Sequence, residues 1–330
     1  MHPDPASLID DFQAFERSLA LRTAIELDLF THIAAGKVTA GSLSAETKTS
    51  ERGVQALCDF LTVRGHLQKK GARYSLTLNA RLYLARDSPA YFGSAAKFLA
   101  GDATVKAFLQ LGKAVKRGGA SRQNIPGANG AHWVEFARSM SRLAEPVAEF
   151  AAAALSLDAA RPLRVLDIAA GHGLYGLAIA AHYPRAQIFA MDSAPVLKVA
   201  RANARERGLA RHFHPLPGDA LKARFGGPYD MVLTANFAHH LDVRNNVKLF
   251  KKSRAALRPG GCFVLLDFVP NEDRVSPSAD AAFSLTLLAT TASGNVYTFK
   301  EYGRMLRAAG FGRVRRLSNK GYGRWIIIAQ

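Results

Sequence analysis

From residue 164 to the end of the chain, short apolar runs alternate with amphipathic stretches. The runs RVLDIA, AQIFAMD, FHPLPGD, YDMVLTAN, CFVLLDF and RWIIIAQ are each of strand length, and the segments between them keep helical spacing. Apolar strands separated by helical segments predict an α/β fold with a mostly parallel sheet covered by helices on both faces.

Upstream the pattern changes. Phe12, Phe15, Leu19, Ile25, Leu29 and Phe30 recur at helical spacings. A short helix is expected over residues 43–47. A longer one starts at Ser50, with a stripe of Val54, Leu57, Cys58 and Leu61 that stops at Gly65. HLQKKGARYSLT then reads as two short strands joined at Lys70 and Gly71. Helix, helix and hairpin in that order suggest a winged helix, placed at residues 1–87. Residues 88–157 are mostly helical and form a linker interrupted by the Gly-rich RGGASRQNIPGANGA, and residues 158–330 carry the sheet. The uncharged run at 281–299 is about membrane-spanning length, but Ser284, Thr286, Thr290, Thr291, Ser293, Gly294 and Asn295 suit lipid poorly, so a buried helix ending at Gly294 is expected.

Composition narrows the class. Of 330 residues, 48% are hydrophobic and 21% charged, which suits a globular chain with a sizeable core. The N-terminus lacks the basic flank and apolar core of a secretory signal. Cys58 and Cys262 lie far apart, giving neither a disulfide framework nor a metal-type spacing, so the reducing cytoplasm is the expected location and no metal site is expected. Lys and Arg exceed Asp and Glu by 44 − 26 = 18. That excess would attract nucleic acid, anionic lipid or an acidic ligand, or is simply a basic solvated surface.

The chemistry starts at VLDIAAGHGLYG. In a parallel sheet, ligands bind beyond the carboxyl ends of the strands, where glycines let them approach the backbone. Here the first strand ends, Gly171 and Gly173 make the turn, and a helix begins near Tyr175. The second strand ends about twenty residues on in Asp192, placed to accept hydrogen bonds from both hydroxyls of a ribose. A dinucleotide and S-adenosylmethionine both fit. The glycine pattern and Asp167, which precedes the turn as partner for a charged methionine end, favour the second. Asp219 follows the third strand, where adenine would lie. Ala220 beside it and Asn236 after the fourth strand complete the expected cofactor set.

VLDIAAGHG, MDSAPVL, PGDAL, AALRPGG, LLDFVP and TFKEYGRMLRAAGF occur in that order, with ELDLF and YSLT upstream. Over nearly its whole length the chain resembles the S-adenosylmethionine-dependent small-molecule O-methyltransferases of plant phenolic and bacterial polyketide type. The resemblance implies a Rossmann-like class I methyltransferase domain behind a mainly helical winged-helix dimerisation domain, and a homodimer whose N-terminal regions intertwine. It also implies a catalytic histidine after the fourth strand. In NFAHHLDVRNN, His239 takes that position and His240 the next, while the family's His-x-Trp is replaced by His239, His240, Leu241. Asp267 matches the acid that orients the base.

A phenol with a pKa near ~10 is activated when an imidazole near ~6.5 takes its proton, a contribution of roughly 10² to 10⁴ in rate. HWVEFARSM resembles the family's substrate helix, so Trp133 and Met140 are expected at the acceptor, with Phe237, His240, Phe283 and Leu287 completing an apolar pocket for a small aromatic molecule. Three other functions compete. A winged-helix regulator would bind DNA, but its helix carries only Arg52 and Arg64 as cations beside a broad apolar face, leaving Lys69, Lys70 and Arg73 on the wing as its support. Nucleic-acid methylation is disfavoured because TANFAHH lacks an Asn-Pro-Pro-aromatic motif. The same fold could also methylate carbon, or hold the cofactor without transferring a methyl group.

Overall fold

The structure is a computed structural model that describes residues 5–121, 130–317 and 325–330. Residues 122–129 of the Gly-rich linker loop, and Arg324 of the last predicted strand, lie outside the described residues. Two compact units are present, Met1–Asp102 and Ala103–Gln330.

In the first unit the early helical stripe is three helices, Ala6–Phe12, Ala14–Glu26 and Leu29–Ala34. The break before the third falls at Asp28, whose φ is +55°. Only the later part of the stripe is buried: Ile25, Leu29 and Phe30 enter the core, while Phe12 and Phe15 stay 78% and 63% exposed. The helices Ala40–Thr47 and Glu51–Val63 follow, capped by the side chains of Thr39 and Ser50. Val54, Cys58 and Leu61 face inward as the stripe predicted. Strands β1 (Leu67–Lys70) and β2 (Arg73–Leu76) pair antiparallel and complete the winged-helix order. Of the cations on that wing, Lys69 is engaged by Asp59 at 2.5 Å and lies over the Tyr74 ring.

The second unit is built on a seven-stranded sheet. Its strands are β3 (Leu163–Ile168), β4 (Ala186–Asp192), β5 (Phe213–Pro217), β6 (Tyr229–Ala235), β7 (Leu257–Asp267), β8 (Val314–Leu317) and β9 (Trp325–Ala329), in the order β5-β4-β3-β6-β7-β9-β8. The first five are mutually parallel, and β9 runs antiparallel to both neighbours. β8, sequence VRRL, has no apolar run because it is an edge strand with two exposed arginines, so pattern alone misses it. Successive strand residues serve opposite faces. Val165, Ile188, Met231 and Leu233 pack with the helices Ser141–Ala154 and Leu174–His182, while Leu166, Ile168 and Val232 pack with Val243–Ala256 and Phe299–Ala308. Strand order reverses between β3 and β6, which puts the ligand crevice at their carboxyl ends.

The helix expected to reach Gly294 spans Ser278–Thr290 instead. The Thr291 side chain accepts the Gly294 N–H and donates to the Leu287 carbonyl, closing the end in a turn. The helix is also only partly buried, with Leu285 46% exposed. Among the described residues no helix is long and apolar enough to cross a membrane.

Candidate active site

The loop after β3 is shaped by its glycines. Gly171 and Gly173 have φ of +57° and +76°, a region that costs a side-chain-bearing residue strain. A Cβ on Gly176 would sit 2.5 Å from Ile188 Cγ2 and 2.9 Å from Asp167 Oδ2, so only glycine lets the helix Leu174–His182 close on the sheet. Gly171, Gly173 and Gly176 therefore make a complete Gly-x-Gly-x-x-Gly. The glycine pattern does not separate a dinucleotide from S-adenosylmethionine, and that part of the sequence argument falls away.

The acids tie this loop to the strand ends. Asp167 Oδ2 accepts the Gly176 N–H at 3.2 Å, and burial pushes its carboxyl up to about 7. Asp192 accepts the N–H groups of Gly171 at 2.9 Å and Ser193 at 2.7 Å, and burial raises its pKa too. Asp219 follows β5 as expected but is exposed, accepting the Leu221 N–H in a local turn and facing Lys222. The buried Ala220 next to it gives its carbonyl to Lys252. Asn236, with φ of +52°, donates its side-chain amide to the Tyr175 hydroxyl at 2.9 Å.

His239 stands on the single turn Ala238–His240 that follows β6. That turn is held from three directions. The Asn246 amide donates to the Ala238 and Leu241 carbonyls, the Asn295 N–H to the His239 carbonyl, and the Tyr297 hydroxyl to the Leu241 carbonyl. The imidazole is buried with its Nδ1 2.5 Å from Asp267 Oδ1. A carboxylate there fixes the proton on Nδ1 and leaves Nε2 as the accepting nitrogen. Asp267, fully buried at the end of β7, also accepts the N–H groups of Phe268 and His239 and the hydroxyl of Tyr302.

Aromatic rings surround the base. Phe283 meets the His239 ring edge-on at 5.1 Å and stacks on Phe268 at 3.9 Å. The His240 ring lies 4.4 Å from His239 and edge-on to Trp133 at 5.2 Å. Burial, followed by the proximity of His239 and His132, pushes His240 well below the ordinary imidazole range, so it is neutral at physiological pH. Leu287 is buried, Phe237 packs half-buried against the core on the Leu166 and Ile168 face of the sheet, and Met140 ends the helix Ala131–Ser139.

Two participants escaped the sequence reading. His172, between the loop glycines, is buried, accepts the Leu174 N–H on Nδ1, stacks on Phe136 and is pushed down to about 4 by burial. Tyr302 reaches Asp267 across 35 residues of chain. Its one sequence signal is an aromatic on the inward face of an amphipathic helix, which more often means plain core.

A sheet whose strand order reverses beside a glycine loop, with acids at the carboxyl ends of β3 and β4 and an anchored histidine after β6, is the arrangement of a class I methyltransferase fold. Residues 129–312 match the O-methyltransferase domain and residues 9–86 the O-methyltransferase dimerisation domain, so the chain belongs to the O-methyltransferase family and uses S-adenosylmethionine as methyl donor. A solved structure of a Nostoc punctiforme protein shares 39% identity and a TM-score of 0.94 over 100% of this chain and 99% of its own. Among curated relatives, the 3-hydroxy-5-methyl-1-naphthoate 3-O-methyltransferase of Streptomyces sahachiroi is 26% identical, covering 94% of this chain and 90% of the relative. The tetracenomycin polyketide synthesis 8-O-methyl transferase of Streptomyces glaucescens is also 26% identical, over 96% and 94%.

Proposed function

We propose that this enzyme methylates a hydroxyl of a small aromatic or polyketide-like molecule, with His239 as general base and Asp267 as the acid that orients it. The observation that carries this reading is the buried His239–Asp267 contact at 2.5 Å, set among aromatic rings. The naphthoate and polyketide acceptors in the names of the relatives agree with that surround.

The residues fit the cofactor. A backbone loop that excludes Cβ atoms admits it closely, and two carboxylates beside that loop suit the two hydroxyls of a ribose and the ammonium of a methionine end. Asp192 would hold the ribose, Asp167 the amino-acid end, and Asp219, Ala220 and Asn236 would border the remainder. When bound, S-adenosylmethionine supplies a methyl group made electrophilic by its sulfonium. His239 Nε2 accepts the proton of the acceptor hydroxyl as that oxygen becomes the nucleophile. Asp267 holds the ring and stabilises the imidazolium that forms. Phe268, Phe283 and Trp133 would present a planar acceptor to that nitrogen, with His240, Phe237, Met140 and Leu287 around them.

The enzyme works as a cytoplasmic homodimer in this reading, with residues 1–87 for dimerisation, 88–157 for the acceptor and 158–330 for the cofactor. Leu8, Ile9, Phe12 and Phe15, all more than half exposed on the first unit, supply apolar surface that a partner copy would cover. The test is His239→Ala, assayed on a panel of aromatic hydroxy compounds with product mass as readout. Loss of turnover with cofactor affinity intact supports the base, and full activity removes it. A gain of one methylene unit that the product's NMR spectrum places on carbon would move the reaction to C-methylation.

A further inference from the structure

Asp267 is a shared acceptor. Its Oδ1 takes the His239 Nδ1–H and the Phe268 N–H, and its Oδ2 takes the His239 N–H at 3.2 Å and the Tyr302 hydroxyl at 2.8 Å. Tyr302 is itself completely buried. Its helix, Phe299–Ala308, begins with a reciprocal cap in which Thr298 and Glu301 each accept the other's backbone N–H, and this fixes the first turn. The ring then packs against Tyr297 at 5.4 Å and Phe250 at 6.5 Å, so the hydroxyl has one place to point.

We propose that Tyr302 is a positioning residue that sets the pH range of the base by drawing charge from Asp267 and holding its carboxylate plane toward His239. The proposal rests on the reading of His239 as general base. A carboxylate beside an imidazole favours the charged ring, and every other donor to that carboxylate weakens the preference. With Tyr302 in place the charge of Asp267 is shared among four donors. Without it, the charge concentrates on the Nδ1–H contact and more of His239 is protonated at neutral pH. Burial and the neighbouring carboxylate push the phenol well above its ordinary range, so it acts only as a donor.

The other ionisable groups around this pair are His240 beside the base, His132 beyond it, Tyr297 against the Tyr302 ring, and Glu301 and Asp242 near Tyr297. All of them remain in Tyr302→Phe, so the comparison alters the phenol alone.

The experiment is an NMR titration of the full-length protein with 13C-labelled histidine, the His239 signal being assigned by its loss in His239→Ala. In Tyr302→Phe the midpoint should rise by about 1 pH unit, the scale of one hydrogen bond to a charged group. 3-Fluorotyrosine at position 302 alone, a stronger donor of nearly the same shape, should lower it. It also decides the matter if Tyr302→Phe does not fold. Midpoints that stay in place overturn the role of Tyr302. Undiminished turnover of His239→Ala overturns the base itself, which is a different result.

Discussion

The Nδ1 of His239 and the Oδ1 of Asp267 lie 2.5 Å apart, although the two residues leave the ends of different strands, β6 and β7. Parallel neighbours bring their carboxyl ends to one edge, so residues 28 positions apart in sequence meet in a buried pair. Asp267→Asn should therefore do more than weaken a contact. An amide can donate to Nδ1, which moves the ring proton to Nε2 and turns the accepting nitrogen into a donor. Turnover should fall by roughly 10² to 10⁴ while affinity for S-adenosylmethionine is kept. Steady-state kinetics beside calorimetric titration checks this, and near-normal turnover would show that the pair does not set the tautomer.

Asp192 accepts the Gly171 N–H and so links β4 to the glycine loop. If it also holds the ribose, Asp192→Ala removes a charged acceptor from the cofactor site. Affinity for S-adenosylmethionine should drop by about 1.5 to 3 kcal/mol. Calorimetric titration measures it directly, and an unchanged dissociation constant would place the ribose elsewhere.

The carboxyl of Asp167 is pushed up to about 7, above the ~3.9 of an unfolded chain. Between those values the folded protein holds a proton that the unfolded chain has released. An ammonium bound against Asp167 must expel that proton. Affinity for S-adenosylmethionine should therefore weaken as pH falls below about 7, at most tenfold per unit. 5′-Methylthioadenosine has no amino-acid end and should lack this step near pH 7, as should S-adenosylmethionine with Asp167→Asn. Parallel slopes for both ligands on the wild-type protein would separate Asp167 from the ammonium.

The parts of this molecule that follow from periodicity were legible in the sequence, and those that depend on distant pairing were not. The apolar runs of β3, β4, β6, β7 and β9 are visible because these inner strands are buried in the sheet, whereas β5, an edge strand with the half-exposed run FHPLP, gives the weakest of the six signals. β8 is hidden by Arg315 and Arg316, which its edge position allows. The helix over Ser278–Thr290 was visible but its end was not, because the Thr291 side chain closes it sooner than the glycine suggests. Within the candidate site, Asp167, Asp192 and Asp219 stand out by their place at or just after strand ends, while His239 and Asp267 come from the family resemblance. Tyr302 does not stand out, because its partner is 35 residues away and its helix would be the same if the hydroxyl were absent.

Gly294 links the end of the Ser278–Thr290 helix to the base. Its N–H donates to Thr291 Oγ1, and the next N–H, of Asn295, donates to the His239 carbonyl at 2.8 Å. A Cβ on Gly294 would lie 2.5 Å from Thr291 Oγ1, 2.6 Å from the His239 carbonyl oxygen and 3.2 Å from His240 Cα. Two of these neighbours are backbone and cannot rotate away, so the turn carrying His239 must shift. Gly294→Ala should cost about 1 to 3 kcal/mol of stability. It should also lower turnover by roughly 10-fold or more, because displacing the base by a fraction of an ångström spoils its reach. Affinity for S-adenosylmethionine should persist, since the glycine loop is untouched. Gly112, inside the helix Leu111–Arg117 with nothing within 4 Å of its Cβ position, is the control. Gly112→Ala should add about 0.5 to 1 kcal/mol of stability and leave turnover alone. Denaturant unfolding and steady-state kinetics on the two variants decide it. If Gly294→Ala keeps full turnover, the Thr291–Asn295 turn does not hold the base.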